Sequence, residues 1–160
     1  MSVTGALDAA GISYVVHTHP PIRGEADLHL TRLDWETSVK TLAFELPDGR
    51  LALVAVPGPA RVQYGAIARA LGVSRSSLRQ ADEQRVIDLG MEPGGVSPIC
   101  SDPDVVVVVD ESVVGMGSVY CGGGTSTTTI EVDASAIVQV AASPIVDRRC
   151  QGVIKKRIVS

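Results

Sequence analysis

Lys40-Thr41-Leu42-Ala43-Phe44-Glu45-Leu46-Pro47-Asp48-Gly49-Arg50-Leu51-Ala52-Leu53-Val54-Ala55-Val56 is the stretch that decides the fold. Two β-rich runs, Lys40 to Leu46 and Arg50 to Val56, flank Asp48-Gly49. Glycine accepts the positive φ of a tight turn, so the pair predicts a two-residue hairpin. Pro57-Gly58-Pro59 ends the second strand. Downstream, Val62, Ala66, Ile67, Ala70 and Leu71 recur at helical spacing. They predict a helix over Ala60 to Leu71 that Gly72 closes.

Working outward, Ser2 to Ala10 reads as a short helix stopped by Gly11, and Ile12 to Val16 as a strand. His17 to Trp35 is irregular, with a helical turn over Glu25 to Leu30. Ser77 to Gln80 reads as a short strand, and Asp82 as the cap of a helix reaching Leu89. Glu92 to Pro98 is a loop by composition. Val105 to Val109 reads as a strand buried on both faces. Ser118 to Cys121 and Thr127 to Val132 read as strands around a triple glycine. Asp133 caps a last helix through Val140, and residues 144–147 add a final strand. The fold class is α/β (α+β): a mixed, mostly antiparallel β-sheet with flanking helices. One domain spans residues 1–147, followed by a basic tail, 148–160.

Composition excludes several function classes. The chain has 160 residues, 45% apolar and 20% charged, enough to bury a core without disulfides. Aromatics are 3%, too few for a binder built on rows of stacking rings. No apolar run approaches the ~20 residues of a spanning helix, and Met1 to Ala10 lacks the basic start of a signal peptide. Cys100, Cys121 and Cys150 are scattered without CxxC spacing, which fits a reducing cytoplasm. Cys121 reads as a small buried strand residue. The first 146 residues carry 9 basic against 17 acidic side chains, a net charge of −8. Such a body does not grip nucleic acid through bulk charge, so any contact is local, at a pocket or the tail.

Several motifs are excluded. Gly122-Gly123-Gly124-Thr125 lacks the lysine of a phosphate loop, and Gly115-Met116-Gly117 lacks the third glycine of a dinucleotide fingerprint. His17-Thr18-His19 has strand spacing for two imidazoles on one face. No HExxH or CxxC partner supports a metal there, and a solvated loop or a substrate-lining role is the better reading. Lys40 stands out instead. The chain has 11 Arg and 3 Lys, and Lys40 is the only lysine before residue 155. An ammonium is a compact point charge, suited to a phosphate or a substrate carbonyl. Otherwise it is an ordinary strand-end lysine reaching water. Gly94-Gly95 frees the backbone to bring N–H groups to a ligand, and such pairs stabilise an oxyanion. Alone, the pair reads as a plain loop.

The order of these pieces carries more than any one of them. Ser38-Val39-Lys40-Thr41-Leu42, Val56-Pro57-Gly58, Ala68-Arg69-Ala70-Leu71-Gly72, Glu92-Pro93-Gly94-Gly95-Val96-Ser97-Pro98, Val109-Asp110-Glu111-Ser112, Val119-Tyr120-Cys121-Gly122-Gly123-Gly124 and Ile130-Glu131-Val132 follow one another. The series resembles the YbaK/prolyl-tRNA editing domain family, including its bacterial Cys-tRNA(Pro) deacylase-like free-standing members. The resemblance implies a cytoplasmic trans-editing hydrolase. It would deacylate misacylated tRNA at the 3′ end, with tRNA for proline carrying Ala, Cys, Ser or Thr. Prolyl-tRNA synthetase is an implied partner, and no metal or organic cofactor is implied. A proline pocket cannot strongly reject smaller amino acids, because a missing methylene is worth only ~1–3 kcal/mol.

The resemblance assigns Lys40 to positioning the terminal phosphate or the ester, and the Gly94 and Gly95 N–H groups to the scissile carbonyl. Gly122, Gly123 and Gly124 would border the pocket, with Ser97 in the substrate-binding loop. A water helped by the substrate's own 2′-OH would complete hydrolysis. The cysteine-specific members carry Tyr near the position of His19 and Asp near Thr129. Here both differ, which leaves the amino-acid specificity open. The alternative function is a non-catalytic aminoacyl-tRNA or small-ligand binding module with the same fold.

Overall fold

The computed structural model describes residues 2–22 and 25–148. The expected basic tail therefore lies, Arg148 excepted, outside the described residues. Among the described residues, eight strands form two sheets. β1 (Val15–Thr18), β6 (Ser118–Gly122) and β7 (Thr128–Asp133) make a three-stranded antiparallel sheet in the order β1-β7-β6. β2 (Val39–Glu45), β3 (Leu51–Pro57), β4 (Arg79–Gln80), β5 (Val105–Asp110) and β8 (Ser143–Asp147) make a second, ordered β4-β2-β3-β5-β8. In it β3–β5 and β5–β8 are parallel, and the β2 pairings are antiparallel. The expected class holds, with two sheets where one was expected. An isolated parallel bridge between Ser38 and Tyr120 is where the sheets touch.

The centre of the larger sheet is buried on both faces because its strands are almost wholly apolar. All six residues of β5 are buried, as are the first six of β3. Leu53, Ala55, Val107 and Val109 face one core with Leu7, Val119, Ile130 and Ile137. That core is closed by α1 (Val3–Ala9), α5 (Ser135–Val140) and the small sheet. Phe44, Ala52, Val54, Val56, Val106 and Val108 face the other, against Ile67 and Ala68 of α2 (Tyr64–Leu71). Each buried Val, Leu, Ile or Phe side chain contributes ~1.5–3 kcal/mol.

Local details refine the sequence reading. The β2–β3 loop has three residues, because Leu46 accepts from Gly49 N–H (2.9 Å) while its own N–H donates to Arg50 (2.9 Å). Pro47 suits the second turn position, and Gly49 takes φ +89, the arrangement of a turn closed by a glycine bulge. α2 starts at Tyr64 rather than Ala60, because Gln63 before it is extended (φ −110, ψ 112), and the Ala60 carbonyl accepts from Lys40 Nζ. Gly72 ends it at φ +70. Asp82 precedes α3 (Glu83–Asp88) without a side-chain capping bond. Asp133 sits one residue before the cap position of α5, and its carboxylate accepts from Ser135 N–H at 3.0 Å. Asp110 is fully buried and caps α4 (Glu111–Val114) through Ser112 N–H at 3.1 Å. The expected helical turn is a 3-10 segment over Glu25–Thr31, and a second covers Trp35–Thr37. Strand β1 begins at Val15 and extends to Thr18, later than expected. Among the described residues no helix is long and apolar enough to cross a membrane.

Candidate active site

A cleft of about 690 Å³ opens where the two sheets meet. The start of β2, the end of β6 and the start of β7 line it, with the 3-10 segments on one side and the Pro93–Gly95 turn on another. Its volume lies in the range of small-ligand sites. Five residues singled out in the sequence line it: His19, Lys40, Gly94, Gly122 and Thr129. They are brought together from four separate stretches of chain. Gly95, Ser97, Gly123 and Gly124 do not line the cleft and stand behind its walls.

Lys40 is the second residue of β2, opposite Val56 in the hairpin. It is half buried, and its ammonium donates to the Ala60 carbonyl. The hairpin thus fixes the root of the side chain, and the loop after β3 fixes its tip.

The glycines have a packing cause. A Cβ on Gly94 would lie 1.8 Å from Ile22 O, on Gly95 2.0 Å from Thr125 O, and on Gly122 2.1 Å from Val96 O. The space their missing side chains leave is taken by neighbouring backbone. The two glycine loops are then cross-bonded. Glu92 N–H donates to Gly124 O (2.8 Å), and Gly124 N–H to Gly95 O (2.8 Å). The Glu92 carboxylate accepts from Ser126 N–H at 2.7 Å, which holds its pKa below the usual carboxylate range. Gly95 N–H is taken by the Glu92 carbonyl at 2.8 Å. Gly94 N–H makes no backbone hydrogen bond among the described residues. Of the glycine pair, then, only Gly94 faces the cleft with its N–H unbonded to any backbone acceptor among the described residues. Ser97 is fully buried, and its hydroxyl accepts from Ile99 N–H at 3.1 Å, bracing the loop from inside.

His19 and Thr129 face each other across the β1–β7 pair, with His19 Nε2 2.9 Å from Thr129 Oγ1. His19 Nδ1 lies 2.9 Å from the Pro20 carbonyl. A carbonyl can only accept, so Nδ1 carries the proton, and in the neutral ring Nε2 accepts from the Thr129 hydroxyl. His17 takes a different partner, Glu131 at 2.9 Å, and its ring meets Tyr120 edge-on. The His17-Thr18-His19 imidazoles are therefore each engaged by other side chains, and among the described residues no cluster of three metal-ligating side chains occurs. Cys121 lines the cleft floor and is 2% exposed, and burial pushes its thiol up to about 12. It stays a neutral thiol at physiological pH and supplies no thiolate nucleophile.

The sequence reading missed three wall residues. Trp35 and Tyr120 line the cleft. The signal for Trp35 was its being the single tryptophan. Thr41, beside Lys40, also lines it, and its hydroxyl is buried without a hydrogen-bond partner among the described residues. A buried hydroxyl left so costs ~1–3 kcal/mol. Nothing in a Lys-Thr-Leu strand distinguishes that hydroxyl from a satisfied one.

Comparison with known proteins agrees with this geometry. The aminoacyl-tRNA editing domain profile matches residues 19–139. Among solved structures, a hypothetical protein is similar at TM-score 0.75 and 26% identity, over 91% of this chain and 97% of its own. A candidate trans-editing enzyme for prolyl tRNA synthetase is similar at TM-score 0.73 and 26% identity, over 94% and 95% of the two chains. No curated protein shows significant sequence similarity. The matched span includes every residue that lines the cleft, and the chain belongs to the aminoacyl-tRNA editing domain family.

Proposed function

We propose that this protein hydrolyses the ester of misacylated tRNA in trans. The substrate is tRNA for proline carrying Ala, Cys, Ser or Thr, in the cytoplasm and alongside prolyl-tRNA synthetase. The observation that carries the reading is the convergence of Lys40, Gly94, Gly122, His19 and Thr129 on one cleft of about 690 Å³. Lys40 positions the terminal phosphate or the ester as a point charge. Gly94 N–H polarises the scissile carbonyl, with Gly95 holding the turn rather than donating. Such a donor is worth ~10²–10³ in rate. The attacking water is activated with help from the substrate's own 2′-OH, as the family resemblance implies, and the buried Cys121 thiol supplies no thiolate. The His19–Thr129 pair forms a wall that bears on which amino acid fits.

The test is deacylation of tRNA for proline charged separately with Ala, Cys, Ser, Thr and Pro, for the protein and its Lys40→Ala variant. Hydrolysis of mischarged species with Pro-tRNA spared, lost in a variant that still melts cooperatively, is expected. Unchanged turnover in Lys40→Ala removes that residue from the mechanism. No hydrolysis of any species leaves the alternative, a binding module of the same fold.

A further inference from the structure

A second cavity, of about 580 Å³, adjoins the cleft. Residues 58–62 form one side, and Trp35 and Lys40 the other. Trp35 and Lys40 line both cavities, so the two meet at these side chains. The wall between them is built to hold its shape. A Cβ on Gly58 would lie 2.1 Å from Ser38 Oγ and 3.3 Å from Trp35 Cζ3, so the turn carrying the indole packs directly on glycine. Ser38 N–H donates to Trp35 O at 3.2 Å, and Gly58 N–H to Ser38 O at 2.8 Å. Trp35 nonetheless keeps 36% of its surface in solvent. Lys40 fixes the Ala60 carbonyl, and therefore the loop on which the next residue, Arg61, is carried.

The charge of this cavity runs against that of the protein. The first 146 residues carry −8, yet no carboxylate lines the second cavity, whose wall includes Lys40 and Arg61. Arg61 is exposed and makes no ion pair among the described residues. The nearest acidic neighbour in sequence on the cleft side, Asp34, spends an oxygen on Glu36 N–H at 3.0 Å. A guanidinium fork and an ammonium beside an exposed, rigidly seated indole form a site for a phosphodiester with a base attached.

We propose that this second cavity is the subsite for the nucleotide immediately 5′ of the terminal adenosine. Arg61 and Lys40 take the linking phosphodiester, and Trp35 stacks the base. The assignment rests on the proposed aminoacyl-ester site, which places the adenosine in the first cleft.

Trp35 is the only tryptophan in the chain, so its fluorescence reports on this wall alone. The protein is titrated with adenosine and with cytidylyl-(3′→5′)-adenosine. The dinucleoside phosphate is expected to bind more tightly. Arg61→Gln is expected to weaken it ~2–5-fold, the scale of one exposed charge contact, and to leave adenosine unchanged. Arg61→Lys retains most of the advantage, and the salt slope of Arg61→Gln falls by ~0.7. Equal binding of the two probes, no response to either, or an Arg61→Gln loss shared by adenosine overturns the subsite. Deacylation is measured in parallel. An inactive protein with intact Arg61-dependent discrimination refutes the hydrolase reading and keeps the subsite. An active deacylase without that discrimination refutes the subsite alone.

Discussion

Replacing Gly95 by alanine tests whether the glycine loops are glycine for packing reasons. The added Cβ would lie 2.0 Å from Thr125 O, 2.3 Å from Thr125 C and 2.6 Å from Thr125 N. All three are backbone atoms, so no side-chain rotation relieves the contact. Separation to an ordinary ~3.5 Å requires one loop to move by more than an ångström. Overpacking of this kind costs ~1–3 kcal/mol. The movement also strains the Gly124 N–H to Gly95 O bond, 2.8 Å long and worth ~1 kcal/mol. The sum is ~2–4 kcal/mol. For a domain of this size that lowers Tm by ~5–15 °C.

Gly65→Ala is the control of opposite sign. It sits in α2, where a Cβ would meet only Arg75 Cδ at 4.0 Å. Alanine in a helix is favoured over glycine by up to ~1 kcal/mol, so Tm should rise by a few degrees. Both variants are melted beside the parent by circular dichroism. A Gly95→Ala protein within ~2 °C of the parent would refute the packing account. It would return the glycine pair to a purely ligand-facing role.

Two further outcomes follow from the same walls. Cys121, whose thiol burial pushes up to about 12, should resist iodoacetamide at pH 8 in the folded protein and react on unfolding. Peptide mapping by mass spectrometry reads this, and rapid native labelling of Cys121 contradicts the buried floor. The Glu92 carboxylate is held below its usual range chiefly by Ser126 N–H. A depressed acid stabilises the fold above its unfolded value, and that contribution is lost as pH falls through the lower folded value. Protection of the Ser126 amide from exchange should therefore fall in acid relative to neutral pH, and Glu92→Gln should abolish the difference. Equal pH dependence in parent and variant would show that Glu92 does not tie the loops.

Much of the molecule was legible before any coordinates, for local reasons. Val105 to Val109 has no polar residue to turn outward, so it had to be a central strand, and it is buried throughout. Gly72 and Gly49 marked chain reversals because only glycine takes their φ of +70 and +89 cheaply. The rarity of lysine marked Lys40. Where local signals competed, tertiary contacts won. The helix expected from Ala60 begins only at Tyr64, after an extended Gln63, on a loop whose Ala60 carbonyl is bonded by Lys40.

The strands, the hairpin, the main helices and the residue types available for chemistry follow from periodicity, turn residues and composition. Which of those residues face one another follows from the packing of distant segments. Gly94 and Gly95 are adjacent in sequence, yet one lines the cleft and the other is locked against Thr125. Ser97 belongs to the same loop and is wholly inside. Trp35, Thr41 and Tyr120 became wall residues only when the Ser38–Tyr120 bridge brought two sheets together. A pairing between segments 82 residues apart in the chain leaves no periodic trace in either of them, so only the folded chain reveals it.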